Sequence, residues 1–278
     1  MTQLVLSLFP GIGLLDRAFE EEGFVIVRGP DVLWGGDVRN FHPPAGHFDG
    51  VIGGPPCQAF SPLQRLVEHN RRKARERGET GAYPEAENLI PEFERCVSEA
   101  APSWFLMENV PEAPLPFDGG MVGVYGVCDR LVRDVWVGGA TSRLRRFSMG
   151  MKGLANLAVQ ARFHVEVLAL HRTDTLPAVL ASGGGRDRPV RIGGSGRPKR
   201  SGRIHHARDL GYKTRKAAAA AAVGQGLPED FLEAAPFTVA GRIKVIGNGV
   251  PLAMGRAIAR AVRQALGMPL VERVAVSL

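Results

Sequence analysis

The opening of the chain limits its fold more than any other stretch. Residues 4–9, Leu-Val-Leu-Ser-Leu-Phe, form a β-type apolar run, Pro10-Gly11-Ile12-Gly13 follows, and residues 14–22 take helical spacing. Strand, glycine turn and helix, in that order, begin a nucleotide-binding unit. The glycines let backbone approach a ligand closely, and the helix start offers unsatisfied N–H groups to a carboxylate or phosphate. The three-glycine dinucleotide fingerprint is absent, because Leu14 and Leu15 follow Gly13. Taken alone, the turn is equally an ordinary strand-to-helix connection.

Two further apolar runs repeat the pattern with chemistry at their ends. Residues 48–52 read as a buried parallel strand and run into Gly53-Gly54-Pro55-Pro56-Cys57-Gln58-Ala59-Phe60-Ser61. Cys57 therefore falls just past a strand's C-terminal end, where open α/β sheets bind ligands. Two glycines permit a sharp turn and two prolines fix φ, so the loop is stiff enough to aim a side chain. A lone cysteine is ordinarily a small buried apolar residue, and this setting points instead to a nucleophile. Residues 104–107 form the third run and end in Glu108-Asn109-Val110. A carboxylate there is costly to bury without a partner, so Glu108 is expected to face the same crevice as Cys57.

Between these runs, residues 24–27 read as a strand, and Asp31 follows at the offset of a ribose-binding acid. Asp37, in Gly35-Gly36-Asp37-Val38, comes so soon afterwards that a crossover helix is missing. Either acid also fits a turn-forming role. Trp34 between them covers an adenine or belongs to the core.

A length of 278 residues suits a large domain with a smaller lobe. No apolar run is long enough to span a bilayer and no signal-peptide pattern precedes the first strand, so a cytoplasmic protein is expected. Cys57, Cys96 and Cys128 are an odd set without metal-ligand spacing, which favours reduced thiols and no metal. A net charge of +7 favours a polyanionic partner.

The Pro-Pro-Cys-Gln loop resembles the catalytic motif of the DNA (cytosine-5) methyltransferases, in a compact phage or bacterial form. Phe9, Gly11 and Gly13 resemble that family's first motif, with Ser7 and Leu14 departing from it, and Glu108-Asn109-Val110 resembles its sixth. Arg143 and Arg145 resemble the paired arginines of a Gln-x-Arg-x-Arg motif, with Thr141 in place of the glutamine; without the family order they read as surface residues. Gly247-Asn248-Gly249-Val250 resembles the tenth motif.

The resemblance implies an α/β fold, a doubly wound Rossmann-like class I methyltransferase domain with a small inserted target-recognition lobe. It divides the chain into a catalytic domain at 1–150, the lobe at 151–216 and a returning segment at 217–278. It implies methyl transfer from S-adenosylmethionine, leaving S-adenosylhomocysteine, to carbon 5 of a flipped-out cytosine through a covalent Cys57 adduct at carbon 6. Cys57, Glu108, Arg143 and Arg145 are the catalytic candidates. Phe9, Gly11, Ile12, Gly13, Asp31, Asp37, Val38, Pro56, Leu89, Asn248 and Val250 are the cofactor candidates.

The expected partner is double-stranded DNA, bound by a monomer in a bacterial or phage-infected cell. Gln58, Ser61, Arg71, Arg72, Lys73, Arg197, Lys199, Arg200 and Arg203 are the candidate nucleic-acid contacts. Residues 64–81 carry six cations among few apolar residues and read as a loop that closes on phosphates, or as a solvated helix face. Residues 163–170 and 178–182 suggest strands, and 186–216 a basic DNA-tracking segment or a linker. A lobe this small implies a short or relaxed recognition site. Two alternatives stay open: an RNA cytosine-5 methyltransferase with the same motifs, and a non-catalytic nucleic-acid-binding protein on this fold.

Overall fold

The structure is a computed structural model and describes residues 2–56, 60, 64–78, 87–117, 124–168, 175–176 and 214–271. Six strands form one mixed sheet: β1 (Leu4–Leu8), β2 (Val25–Arg28), β3 (Gly50–Gly53), β4 (Trp104–Asn109), β5 (Tyr125–Arg133) and β6 (Leu144–Lys152), in the order β2-β1-β3-β4-β6-β5. The first four are parallel, and β6 inserts antiparallel between β4 and β5. The helices are α1 (Leu14–Glu21), α2 (Gln64–Glu76), α3 (Ile90–Ala100), α4 (Asn156–Arg162), α5 (Arg215–Gly224), α6 (Val239–Asn248) and α7 (Leu252–Ala265).

The continuous apolar runs become strands buried on both faces, and the period of two decides which face each residue serves. Val5, Ile52, Trp104 and Leu106 pack with Phe19 of α1 and Met254, Ile258 and Val262 of α7. Leu6, Leu8, Val51, Phe105 and Met107 pack with Phe93, Cys96 and Val97 of α3. This is the doubly wound arrangement expected from the sequence. Two strand glycines make it possible: a Cβ on Gly50 would fall inside the Trp104 ring, and one on Gly150 inside the Phe105 ring.

The C-terminal segment closes back on the start of the chain. Gly255 of α7 lies so close to α1 that a Cβ there would stand 2.7 Å from the Ala18 methyl. Arg256 pairs with Glu21, and Arg260 with Glu22, along the same contact. The chain reverses from β1 toward β2 on one side and toward β3 on the other, which opens a crevice at the strands' C-terminal ends.

The short path from β2 to β3 holds two 3-10 turns, Val32–Trp34 and Val38–Asn40, and no α-helix. The Gly36 N–H donates to the Asp31 carbonyl at 2.9 Å, so one tight turn keeps Asp31 and Asp37 near each other. It also leaves Val25 and Val27 of edge strand β2 exposed.

Two local expectations are corrected. The basic segment after the cysteine motif is helical over α2, since Arg, Lys, Glu and Gln have high helix propensity and need no apolar stripe to form one. Residues 163–168 make no strand. Phe163 and Val165 are buried as alternation requires, but the Phe163 N–H bonds back to Val159 and the Leu168 N–H to the Trp136 carbonyl, so no ladder forms. The expected strand at 178–182 and the basic segment at 186–213 lie outside the described residues.

Candidate active site

β3 and β4 deliver the two central motifs side by side, with Gly53 in register with Met107. Glu108 is 9% exposed at the end of β4. Its Oε1 lies 2.9 Å from Nε of Arg145 on β6, and its Oε2 would stand 3.0 Å from a Cβ on Gly54. The glycine at 54 is thus what lets the carboxylate lie against the loop backbone. Asn109 Nδ2 donates to the Pro55 carbonyl at 3.3 Å, while its Oδ1 accepts from the Val110 N–H. Two consecutive residues of β4 therefore grip Gly54 and Pro55, immediately before Pro56 and Cys57. Cys57, Gln58 and Ser61 lie outside the described residues.

The two arginines separate in the structure. Arg145 faces Glu108, with another N–H on the Leu144 carbonyl. Arg143 is 3% exposed and donates through Nη1 to the Gly247 carbonyl at 2.7 Å, tying β6 to the end of α6. Thr141 is buried and donates its hydroxyl and its N–H to Asp134 Oδ2, at 2.7 and 2.9 Å. Burial nonetheless raises the Asp134 pKa above the usual carboxylate value. Asp134 went unmarked in the sequence, where a single acid after an alternating strand carries no signal of its distant partners.

At the other end of the crevice, the loop at 9–13 takes an unusual backbone path. Phe9, Gly11 and Gly13 all have positive φ, at 56°, 56° and 76°. A Cβ on Gly11 would meet nothing within 4 Å, so the space above it is open. Asp31 holds this loop: its Oδ2 accepts from the Gly11 N–H at 2.8 Å and its Oδ1 from the Leu33 N–H at 2.7 Å. Trp34 donates its indole N–H to the Gly11 carbonyl at 2.8 Å and packs against Phe237 with centroids 6.0 Å apart.

Asp37 caps the second 3-10 turn, and its carboxylate is engaged by the Arg39 guanidinium, which lowers its pKa. Arg39 also reaches Glu87 at 2.9 Å. Arg95 of α3 holds the same segment through the Val38 and Phe41 carbonyls, a clamp no sequence spacing marks because its ends lie 57 and 54 residues apart.

The remaining candidates fall around these groups. Val38 is buried beneath Asp37, Leu89 caps α3, and Ile12 is half-buried against the cluster containing Leu14 and Ile246. Asn248 is the exposed last residue of α6, and Val250 is buried among α1, α7 and the sheet. On α2, Arg71 is buried at 8% exposure, whereas Arg72 and Lys73 are exposed. Arg197, Lys199, Arg200 and Arg203 lie outside the described residues. Among the described residues no group of His, Cys, Asp and Glu could hold a metal, and no helix is long and apolar enough to cross a membrane.

Comparison with known proteins agrees with this geometry. Residues 35–116 match the family model for C-5 cytosine-specific DNA methylase. The Type II methyltransferase M.NgoPII of Neisseria gonorrhoeae is 31% identical over 124 residues, 38% of this chain and 33% of that protein. M.FnuDI of Fusobacterium nucleatum is 30% identical over 122 residues, 38% of this chain and 32% of that protein. The chain thus matches about a third of the length of each curated relative.

Among solved structures, a protein described as a prophage-encoded DNA modification methyltransferase from E. coli superposes with a TM-score of 0.54 at 18% identity, covering 96% of this chain and 100% of its own. Spodoptera frugiperda DNMT2 superposes at 0.56 and 13% identity, covering 95% and 100%. At such identities these two speak for the fold alone. Over residues 35–116 the chain resembles the C-5 cytosine-specific DNA methylases by sequence, and over nearly its whole length it shares a fold with these solved methyltransferase structures.

Proposed function

We propose that the chain is a DNA cytosine-5 methyltransferase that uses Cys57 as its nucleophile and S-adenosylmethionine as its donor. The observation that carries this reading is the Glu108 carboxylate, lying against Gly54 three residues before Cys57 with Arg145 on its other oxygen. Carbon 5 of cytosine is a poor nucleophile. Addition of the Cys57 thiolate to carbon 6 turns the ring into an enamine, and Glu108 assists by hydrogen bonding or proton donation at ring N3. Carbon 5 of the enamine would then take the methyl group as the donor's S–CH3 bond breaks, releasing S-adenosylhomocysteine, and loss of the C5 proton to a base restores the double bond and expels the thiolate. Arg145 keeps Glu108 aimed and offers positive charge to the anionic addition state.

The donor supplies an electrophilic methyl group on a sulfonium when bound. The residues present fit such a molecule. Gly11 leaves open space, Phe9 offers an apolar ring beside it, and each Asp31 oxygen retains a lone pair for a ribose hydroxyl beyond the N–H it already accepts. Asp37, Val38, Leu89, Asn248 and Val250 are assigned to the same pocket, and Arg143 to holding the β6 end against α6. We assign DNA as the polymer, read by Arg72, Lys73 and the basic segment at 197–203. The target base must leave the stack to reach Cys57.

The test is transfer of labelled methyl from S-adenosylmethionine to unmodified duplex DNA, with structured RNA and Cys57→Ala run in parallel. Label on carbon 5 of cytosine in DNA, absent with the variant, is the expected result. Label on RNA alone would move the substrate to that polymer. No label on either, with the cofactor bound, would leave a binding protein.

A further inference from the structure

Beneath the loop at 9–13 lies a charged network that the proposed chemistry does not use. Asp16, in the first turn of α1, is 1% exposed. Ser7 of β1 donates its hydroxyl to Asp16 Oδ1 at 2.5 Å, and Arg28 at the end of β2 donates Nε to Oδ2 at 2.8 Å. An Arg28 Nη2 lies 3.6 Å from Glu20, the other acid facing the pair. That same Nη2 would stand 3.0 Å from a Cβ on Gly13, so the guanidinium occupies the space a side chain at 13 would take.

Burying the Asp16 carboxylate is costly, and its partner Arg28 is more than half exposed, so the ion pair returns little in stability. A reason beyond packing is therefore needed. The loop supplies one. Three of its five residues have positive φ, one of them Phe9, and positive φ in a non-glycine residue costs on the order of 1–3 kcal/mol unless the surroundings hold it. Asp31 and Trp34 hold Gly11 from one side. Gly13 has no side-chain cap; its N–H donates to the Pro10 carbonyl at 2.8 Å, and the Arg28 guanidinium is the side chain that would stand nearest a Cβ there.

Resting on the donor assignment above, we propose that Asp16 and Arg28 are positioning residues for the cofactor loop. Asp16 fixes the Arg28 guanidinium, and the guanidinium keeps Gly11 to Gly13 in the path that receives the amino-acid end of the donor. Neither residue takes part in the methyl transfer, so the network governs donor affinity and leaves the chemical step alone.

The experiment measures binding of S-adenosylhomocysteine by calorimetry, together with kcat at saturating S-adenosylmethionine and thermal unfolding. The proteins are the full chain, Asp16→Asn, Arg28→Gln and the exchange Ser7→Asp with Asp16→Ser. Asp16→Asn and Arg28→Gln should each weaken binding about tenfold or more, with kcat at saturation within about twofold. The exchange returns a carboxylate to Arg28 from the neighbouring strand, since Ser7 and Arg28 are register partners, and should recover most of the affinity. If Asp16→Asn does not fold, Arg28→Gln carries the test. Full affinity in folded Arg28→Gln, or an exchange variant no better than Asp16→Asn, would overturn the proposal even if both unfold at lower temperature. Failure of the unaltered chain to bind S-adenosylhomocysteine would instead remove the donor assignment, and this proposal with it.

Discussion

Gly54→Ala separates positioning from stability at the candidate centre. The added methyl would stand 3.0 Å from Glu108 Oε2, and ordinary contact begins at 3.4 Å, so the carboxylate must retreat by about 0.4 Å. It cannot retreat freely, because Arg145 Nε holds Oε1 at 2.9 Å on the other side. Either the ion pair distorts or the loop before Cys57 lifts, and both misalign the acid with the base it must meet. Displacements well under 1 Å at a reacting group commonly cost about 10- to 100-fold in rate, or about 1.4–2.7 kcal/mol.

Stability should change little, since among the described residues the only neighbour of the added methyl is the end of a side chain. A Gly-to-Ala change elsewhere without strain is worth under about 1 kcal/mol, less than about 4 °C in Tm for a chain of this size. Gly50→Ala is the contrasting control. Its methyl would enter the Trp104 ring in the core, and overpacking of that kind costs about 1–3 kcal/mol or more. Single-turnover methyl transfer at saturating DNA and donor, with calorimetric unfolding, reads both effects. An unchanged rate for folded Gly54→Ala would refute the argument that Glu108 must lie against this backbone.

Three further outcomes follow from the same geometry. Thr141→Val removes the hydroxyl donor to buried Asp134 and should destabilise the chain by about 1–3 kcal/mol in urea titrations; no loss would mean that another donor replaces it. The Glu21 carboxyl is held below its ordinary 4.5 chiefly by its hydrogen bond to Arg256, so its contribution is fully present above pH 4.5 and is lost as pH falls through the lower folded value. Glu21→Gln should therefore cost up to about 1 kcal/mol at pH 7, and the gap from the unaltered chain should close in acid unfolding scans. Replacing the exposed Arg72 and Lys73 by alanine should flatten the slope of log K for DNA against log salt by about 1.8, if each meets one phosphate; an unchanged slope places DNA elsewhere.

What the sequence disclosed and what it hid divide along contact distance. β1, β3 and β4 are legible because strands buried on both faces must be continuous apolar runs, and the end of β4 brings Glu108 against Gly54 of the cysteine motif, while Cys57 itself lies outside the described residues. The doubly wound sheet is what the family resemblance implies, and the strand order agrees with it. The short passage from Asp31 to Asp37 was legible as a missing helix, while its solution, a turn closed by Gly36 onto the Asp31 carbonyl, was not. Of the two readings of residues 64–81, a phosphate-closing loop or a solvated helix face, the helix is the one found over α2, because intrinsic propensity suffices there.

The supporting charges were hidden for a common reason. Asp16, Arg28 and Arg95 each act across elements that come together only in the folded sheet, and Asp134 meets Thr141 through a turn between β5 and β6 that no motif marks. No period or spacing marks a single acid in a first helical turn as the anchor of an arginine at the end of the next strand. The paired arginines show the same limit from the other side. Alternation put Arg143 and Arg145 together, yet the neighbouring elements gave one the Gly247 carbonyl and the other Glu108. Motifs thus mark candidate reacting groups in such a chain, while the side chains packed around Glu108 become visible only with the strand order.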